Sequence, residues 1–285
     1  MPRTAAYRRV LLDLRHAAID RGGIRAAAEL AHLLGLDLTG VFVEDAALLG
    51  LPEYPFAREL RLPGHEWHPL EPTRIAEEVR AAAEAARRLL DEYSAALGIQ
   101  SLFEVVRGDP ALSIDALSEA SDIVVLIEPA AASERLARAF LRRPPPGRSG
   151  AAMLVVPPRV LRHHGPVAAV VQTATDPGLI TAAAIAAAAS ERLLVLLIPR
   201  GDAGLKAAAI AAARAAGMPA ERIQTRLLRA ATPEAVLHAL GKTQERLLVL
   251  TRGGDLLPDT VPSWLAAARQ VPVLLVGPEA EQAER

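Results

Sequence analysis

Apolar positions in this chain fall into short, nearly unbroken runs, separated by alanine-rich stretches with helical periodicity. The runs in the first part are Arg9–Leu14 (RVLLDL), Leu38–Glu44 (LTGVFVE), Ser101–Gly108 (SLFEVVRG), Asp122–Glu128 (DIVVLIE) and Ala151–Pro158 (AAMLVVPP). A strand with one wet face alternates apolar and polar residues, whereas a strand covered on both faces reads as a continuous apolar run. Between the runs lie helical patterns: Ile24–Gly35, which closes on a glycine suited to a C-cap, a charged and Ala-rich stretch over Pro72–Leu97, and a helix opened by Asp109-Pro110. Strand and helix alternate, which predicts a mostly parallel sheet flanked by helices.

The order then restarts. Pro166–Gln172 (PVAAVVQ) reads as a strand, and Asp176-Pro177 opens an Ala-rich helix as N-cap followed by proline at the first helical position. RLLVLLIP, a helix over Ala203–Ala216, RIQTRLLR, a helix from Thr232-Pro233, RLLVLT and VPVLLV follow. GDPALSIDALSEASDIVVL matches AATPEAVLHALGKTQERLLVL element for element. This is the pattern of a duplicated five-strand unit. The expected organisation is a first domain over 1–158 with an insertion at 46–71, a linker at 159–165, a second domain over 166–278 and a tail at 279–285. The first unit also carries an extra stretch over Ala130–Gly150, which includes the basic RLARAFLRR (Arg135–Arg143), read as a solvated helix face.

Composition narrows the function. The 32 Lys+Arg balance 33 Asp+Glu, against the basic surplus of a nucleic-acid binder. The absence of cysteine excludes disulfides and thiol chemistry and fits a cytoplasmic setting. The start, MPRTAAYRRVLLDLRH, lacks a signal-like apolar segment, and Glu191-Arg192 splits the greasiest stretch, Leu179–Pro199, well short of the roughly 20 residues of a spanning helix. No membrane insertion is expected. No nucleophile–base pair, paired carboxylates or metal cluster stands out, so the chain reads as non-enzymatic. His65-Glu66-Trp67-His68 lies between Pro63-Gly64 and Pro69 and reads as a loop rather than a metal site.

VLLDLRHAAIDRGGIRAAAELAHLLGLDLTGVFVED and TVPSWLAAARQVPVLLVGP resemble the opening and closing segments of the universal stress protein family, in a tandem, divergent form. The resemblance implies two tandem five-stranded, mostly parallel sheets flanked by helices. Their last strands, Met153–Val156 and Val273–Val276, are then expected to meet edge to edge. Nucleotide-binding members carry an acidic residue at the end of the first strand and a Gly-x-x-Gly, nine-residue spacer, Gly-Ser/Thr loop after the fourth. Here Arg15 and Gln172 stand at the acidic positions, and the first fourth-strand loop runs EPAAASERLARAFLRRPPPGRS. In the second unit Gly253 and Gly254 are adjacent, and Asp259 stands where a glycine precedes the hydroxyl of Thr260. What remains of a nucleotide site is Gln172, Arg252, Gly253, Gly254 and Thr260. No ATP site, and no cofactor, is expected. The alternative reading is a nucleotide-binding switch that uses this modified second site.

The 46–71 insertion has no counterpart in the second unit. It holds Tyr54, Phe56 and Trp67, in a chain with 3% aromatics. Long connections of this kind are usually functional, and large aromatic side chains anchor interfaces. The resemblance implies a stress-response or regulatory role, expected here through contact of Tyr54, Phe56 and Trp67 with a protein partner; the other reading of the segment is a lid packed on the sheet's own edge. The chain is expected to be a monomeric pseudo-dimer or a homodimer.

Overall fold

The computed structural model describes residues 7–14, 21–61, 64, 66–119, 122–127, 152–199, 204–253 and 261–277. The strands are β1 (Arg9–Asp13), β2 (Asp37–Asp45), β3 (Arg58–Arg61), β4 (Glu66–Pro69), β5 (Ser101–Gly108), β6 (Asp122–Ile127), β7 (Ala152–Val156), β8 (Val167–Val171), β9 (Leu193–Leu197), β10 (Ile223–Leu227), β11 (Leu247–Thr251) and β12 (Val273–Val276). The helices are α1 (Arg21–Leu34), α2 (Ala46–Gly50), α3 (Pro72–Leu97), α4 (Pro110–Leu117), α5 (Pro177–Ala188), α6 (Leu205–Ala215), α7 (Pro233–Leu240) and α8 (Val261–Arg269). The Ala130–Gly150 stretch and Arg15 lie outside the described residues.

Local chemistry sets the helix ends. Gly35 follows α1 at φ 65°, and Gly98 follows α3 in the same left-handed conformation, which costs a glycine little. Asp176 and Thr232 cap α5 and α7 through their side chains, each followed by proline at the first helical position.

Ten strands form one sheet in the order β10-β9-β8-β11-β12-β7-β6-β1-β2-β5. Within each run of five the pairing is parallel and the order is the same. The β11–β12 pair stands in one run where β6–β7 stands in the other. The two runs join through β12 and β7, which pair antiparallel with Val273 opposite Val155 and Leu275 opposite Met153. The expected edge-to-edge meeting of Met153–Val156 with Val273–Val276 is present, so the two five-stranded units fuse into a continuous sheet.

Each face of the sheet has its own apolar core; one extends across all ten strands, and the other across every strand but the edge strand β10. One is covered by α1, α3, α5 and α6, the other by α4, α7 and α8. Strands β7, β8 and β9 are buried at every position. Buried carboxylates pin the strand starts. Asp122 receives both Arg9 Nε and Nη2, at 3.1 and 3.0 Å, and Glu245 receives Arg269 Nε and Nη2, at 2.6 and 2.8 Å. The hydrogen bond to Asp122 raises the Arg9 guanidinium above its ordinary range, and that to Glu245 does the same for Arg269. No helix among the described residues is long and apolar enough to cross a membrane.

The insertion is more ordered than a loop. α2 is capped by Asp45, a 3₁₀ turn covers Leu51–Glu53, and β3 and β4 pair antiparallel as a separate two-stranded ribbon. Arg74 on α3 forms an ion pair with Glu59 of the ribbon. His68, read from sequence as part of a loop, sits in β4, with Glu59 as its cross-strand neighbour.

Candidate functional site

In an open parallel sheet, ligands bind beyond the C-terminal ends of the strands where the strand order reverses. That point lies between β8 and β11 in one run and between β1 and β6 in the other. β8 and β11 pair with Ala169 opposite Val249, which carries Gln172 and Arg252 to the same end of neighbouring strands. Gly253 follows at φ 80°, a left-handed turn. Of the residual nucleotide site predicted from sequence, the structure therefore brings Gln172, Arg252 and Gly253 to the crevice. Gly254 and Thr260 lie outside the described residues.

The crevice is closed from within by a carboxylate. Asp176, 3% exposed, accepts the Gln172 amide at 3.1 Å on Oδ2 and the Gly178 amide at 3.0 Å on Oδ1. The Thr251 hydroxyl, at the last position of β11, donates a short hydrogen bond to the same Oδ1 and accepts from the Gly178 amide at 3.1 Å. Pro177 has no amide hydrogen, and the amides of Leu179 and Ile180 turn back to the Asp176 carbonyl at 3.0 and 3.3 Å. The first-turn donors of α5 that would cradle an anion are thus used inside the protein. A phosphate placed there would also face the Asp176 charge. Gly178 makes the closure possible, since a Cβ at this position would lie 2.6 Å from Thr251 Oγ1.

In the matching crevice a different contact stands at this place. There the last residue of β6, Ile127, packs over Gly23 in the first turn of α1, so closely that a Cβ on Gly23 would lie 2.4 Å from Ile127 Cδ1. A methyl group of Ile127 stands beside Gly23 in one unit, where a hydroxyl and a carboxylate stand beside Gly178 in the other.

Arg252 does not stay in the crevice alone. Its amide donates to the Val276 carbonyl at 2.8 Å, extending the ladder to β12. Burial lowers its guanidinium below the ordinary range, and Tyr7, from the start of the other run, partly offsets this. Burial likewise pushes the Tyr7 phenol up to about 12, with the Arg252 charge pulling the other way.

The proposed partner surface is presented to solvent. Tyr54, Phe56 and Trp67 are 55, 79 and 62% exposed, and the Tyr54 and Phe56 rings lie 5.6 Å apart between centroids. Leu48, Leu51 and Leu60 of the same insertion are also exposed. Sequence reasoning missed Thr251 and Gly178 as crevice residues and saw Asp176 only as a cap. The one available signal was a cap residue one position before Pro-Gly, the glycine marking a close approach.

No protein-family model matches the chain, and no curated protein matches it in sequence. Solved structures do match in fold. A universal stress protein from Archaeoglobus fulgidus superposes with a TM-score of 0.60 at 13% identity, over 96% of this chain and 98% of that one. A functionally unknown protein from Pseudomonas aeruginosa gives 0.57 at 15% identity, over 97% and 94%. A candidate universal stress protein from another Pseudomonas aeruginosa strain gives 0.51 at 14%, over 95% and 94%. The chain shares the fold of universal stress proteins along nearly its whole length.

Proposed function

We propose that the protein is a non-catalytic, universal-stress-protein-like regulator that works through protein contacts in the cytoplasm and has no functional ATP site. In this reading 1–158, with its 46–71 insertion, and 166–278 are two domains joined by 159–165, with 279–285 as a tail, and together they make a pseudo-dimer in one chain. The observation that carries it is Asp176, whose buried carboxylate and Thr251 partner occupy the helix start where nucleotide phosphates would need donors. Ile127 over Gly23 supports the same conclusion for the other unit. Specificity then lies in what is not duplicated, the insertion with Tyr54, Phe56 and Trp67. The second reading, a nucleotide switch built on Gln172, Arg252, Gly253, Gly254 and Thr260, draws on the left-handed turn kept at Gly253.

Two experiments test this. Titration with magnesium-ATP, followed through backbone amide resonances, should leave Gln172, Gly178, Arg252 and Gly253 unmoved. Saturable shifts there, lost in Gly254→Val, would replace the regulator by the switch. The combined variant Tyr54→Ser, Phe56→Ser, Trp67→Ser should keep the wild-type Tm and lose a partner or self-association that the wild-type chain shows. Unfolding of that variant would make the insertion a structural cover instead.

A further inference from the structure

The opposite end of the same strands carries a feature that neither the crevice nor the insertion explains. A cleft of about 810 Å³ opens beneath the starts of β8 and β9, along β10, and against the C-terminal end of α7. This is within the ~300–1,000 Å³ of small-molecule sites, which are mostly apolar. Here the wall is cationic instead. Arg192, Arg226 and Lys242 line it, with His164 and His238, against the single carboxylate of Glu191.

The carboxylate is already engaged, because Glu191 Oε1 accepts the Gly165 amide at 2.9 Å. Arg226 is held in place through one nitrogen. Its Nη1 donates to the Ala239 carbonyl at 2.6 Å and to Thr243 Oγ1 at 3.1 Å. Those bonds fix the guanidinium while its Nε and Nη2 keep their donors, and a pre-positioned fork is suited to two oxygens of one anion. Arg192, Arg226 and Lys242 are all exposed at the cleft. Like charges gathered along one concave wall concentrate a counter-ion more strongly than the same charges spread over a convex surface.

We infer that this cleft binds a small, multiply charged phosphate-class anion, with Arg226 as the fixed fork and Arg192 and Lys242 as flanking charges. The site is independent of the closed crevice, so it stands or falls apart from the absence of an ATP site there. Inorganic tripolyphosphate is the probe, titrated into the full chain with amide resonances as readout. Expected are saturable shifts at Arg192, Gln224, Lys242 and Thr243, with Gln172, Gly178 and Arg252 unmoved. The double variant Arg192→Glu, Lys242→Glu should raise Kd by about tenfold or more. A control with the same change of charge at exposed positions on α3 and α6, Arg80→Glu with Lys206→Glu, should bind as the wild type does. ATP run in parallel distinguishes the source: equal affinity assigns the site to the phosphate chain alone, and tighter binding adds a nucleoside contact. No saturable shift at the cleft overturns the inference. So does equal weakening in both double variants, which would reduce the effect to overall charge.

Discussion

At the scale of single residues, Asp176 serves as both helix cap and plug. Its side chain takes the Gln172 and Gly178 amides and the Thr251 hydroxyl, all at a position 3% exposed. Removing it uncaps α5 at a typical cost near 1 kcal/mol. It also leaves buried donors without an acceptor, at about 1–3 kcal/mol. Asp176→Ala is therefore expected to lower unfolding free energy by about 2–4 kcal/mol in urea. Asp176→Asn, which keeps an acceptor oxygen for the cap, should cost clearly less. An alanine variant as stable as the wild type would mean that the cap and plug contribute nothing. The cap was legible in Asp176-Pro177, because capping is local. The Thr251 contact was not, because it spans 75 positions of sequence and a threonine closing an apolar strand looks like an ordinary boundary residue.

At the scale of elements, sheet position explains why some strands read cleanly and others did not. β7, β8 and β9 are fully buried, and their sequences are continuous apolar runs. β5 and β10 stand at the two ends of the sheet order, and charged residues interrupt both, as suits edges that must not recruit another chain. β3 and β4 were not legible at all: RELR and EWHP are four residues each, five of the eight polar, and bury no common face that would impose a period. The seam between β12 and β7 is the element most open to test. Leu275 is fully buried there, opposite Met153. Leu275→Lys would place a charge with no partner in the apolar core, at about 3–5 kcal/mol. Urea denaturation of the full chain measures it, and an unchanged midpoint would rule out this packing.

At the scale of the molecule, the two runs of strands hold together by more than the β12–β7 seam. Glu29 of α1 meets Arg246 Nη2 at 3.2 Å and His163 Nδ1 at 3.2 Å, and Arg162 donates through Nε to the Glu245 carbonyl at 3.1 Å. The stretch read as a linker is thus a clasp, which its composition did not reveal because its partners come from elsewhere in the chain. Both apolar cores cross the seam as well. Cutting the chain after Pro158 would leave β7, buried at all five positions, as a bare edge with an apolar strand. Such an edge pairs with whatever strand is available. The nearest substitute for β12 is the β7 of a second fragment, since the observed pairing is antiparallel and an antiparallel pair of identical strands has two-fold symmetry. A fragment of residues 1–158 should therefore be recovered as a dimer or as aggregate, whereas the full chain has its seam already filled. Light scattering after size exclusion reads the difference. A stable, monodisperse monomer of the fragment would show that β7 needs no partner, and the view of the chain as a pseudo-dimer would lose its physical basis.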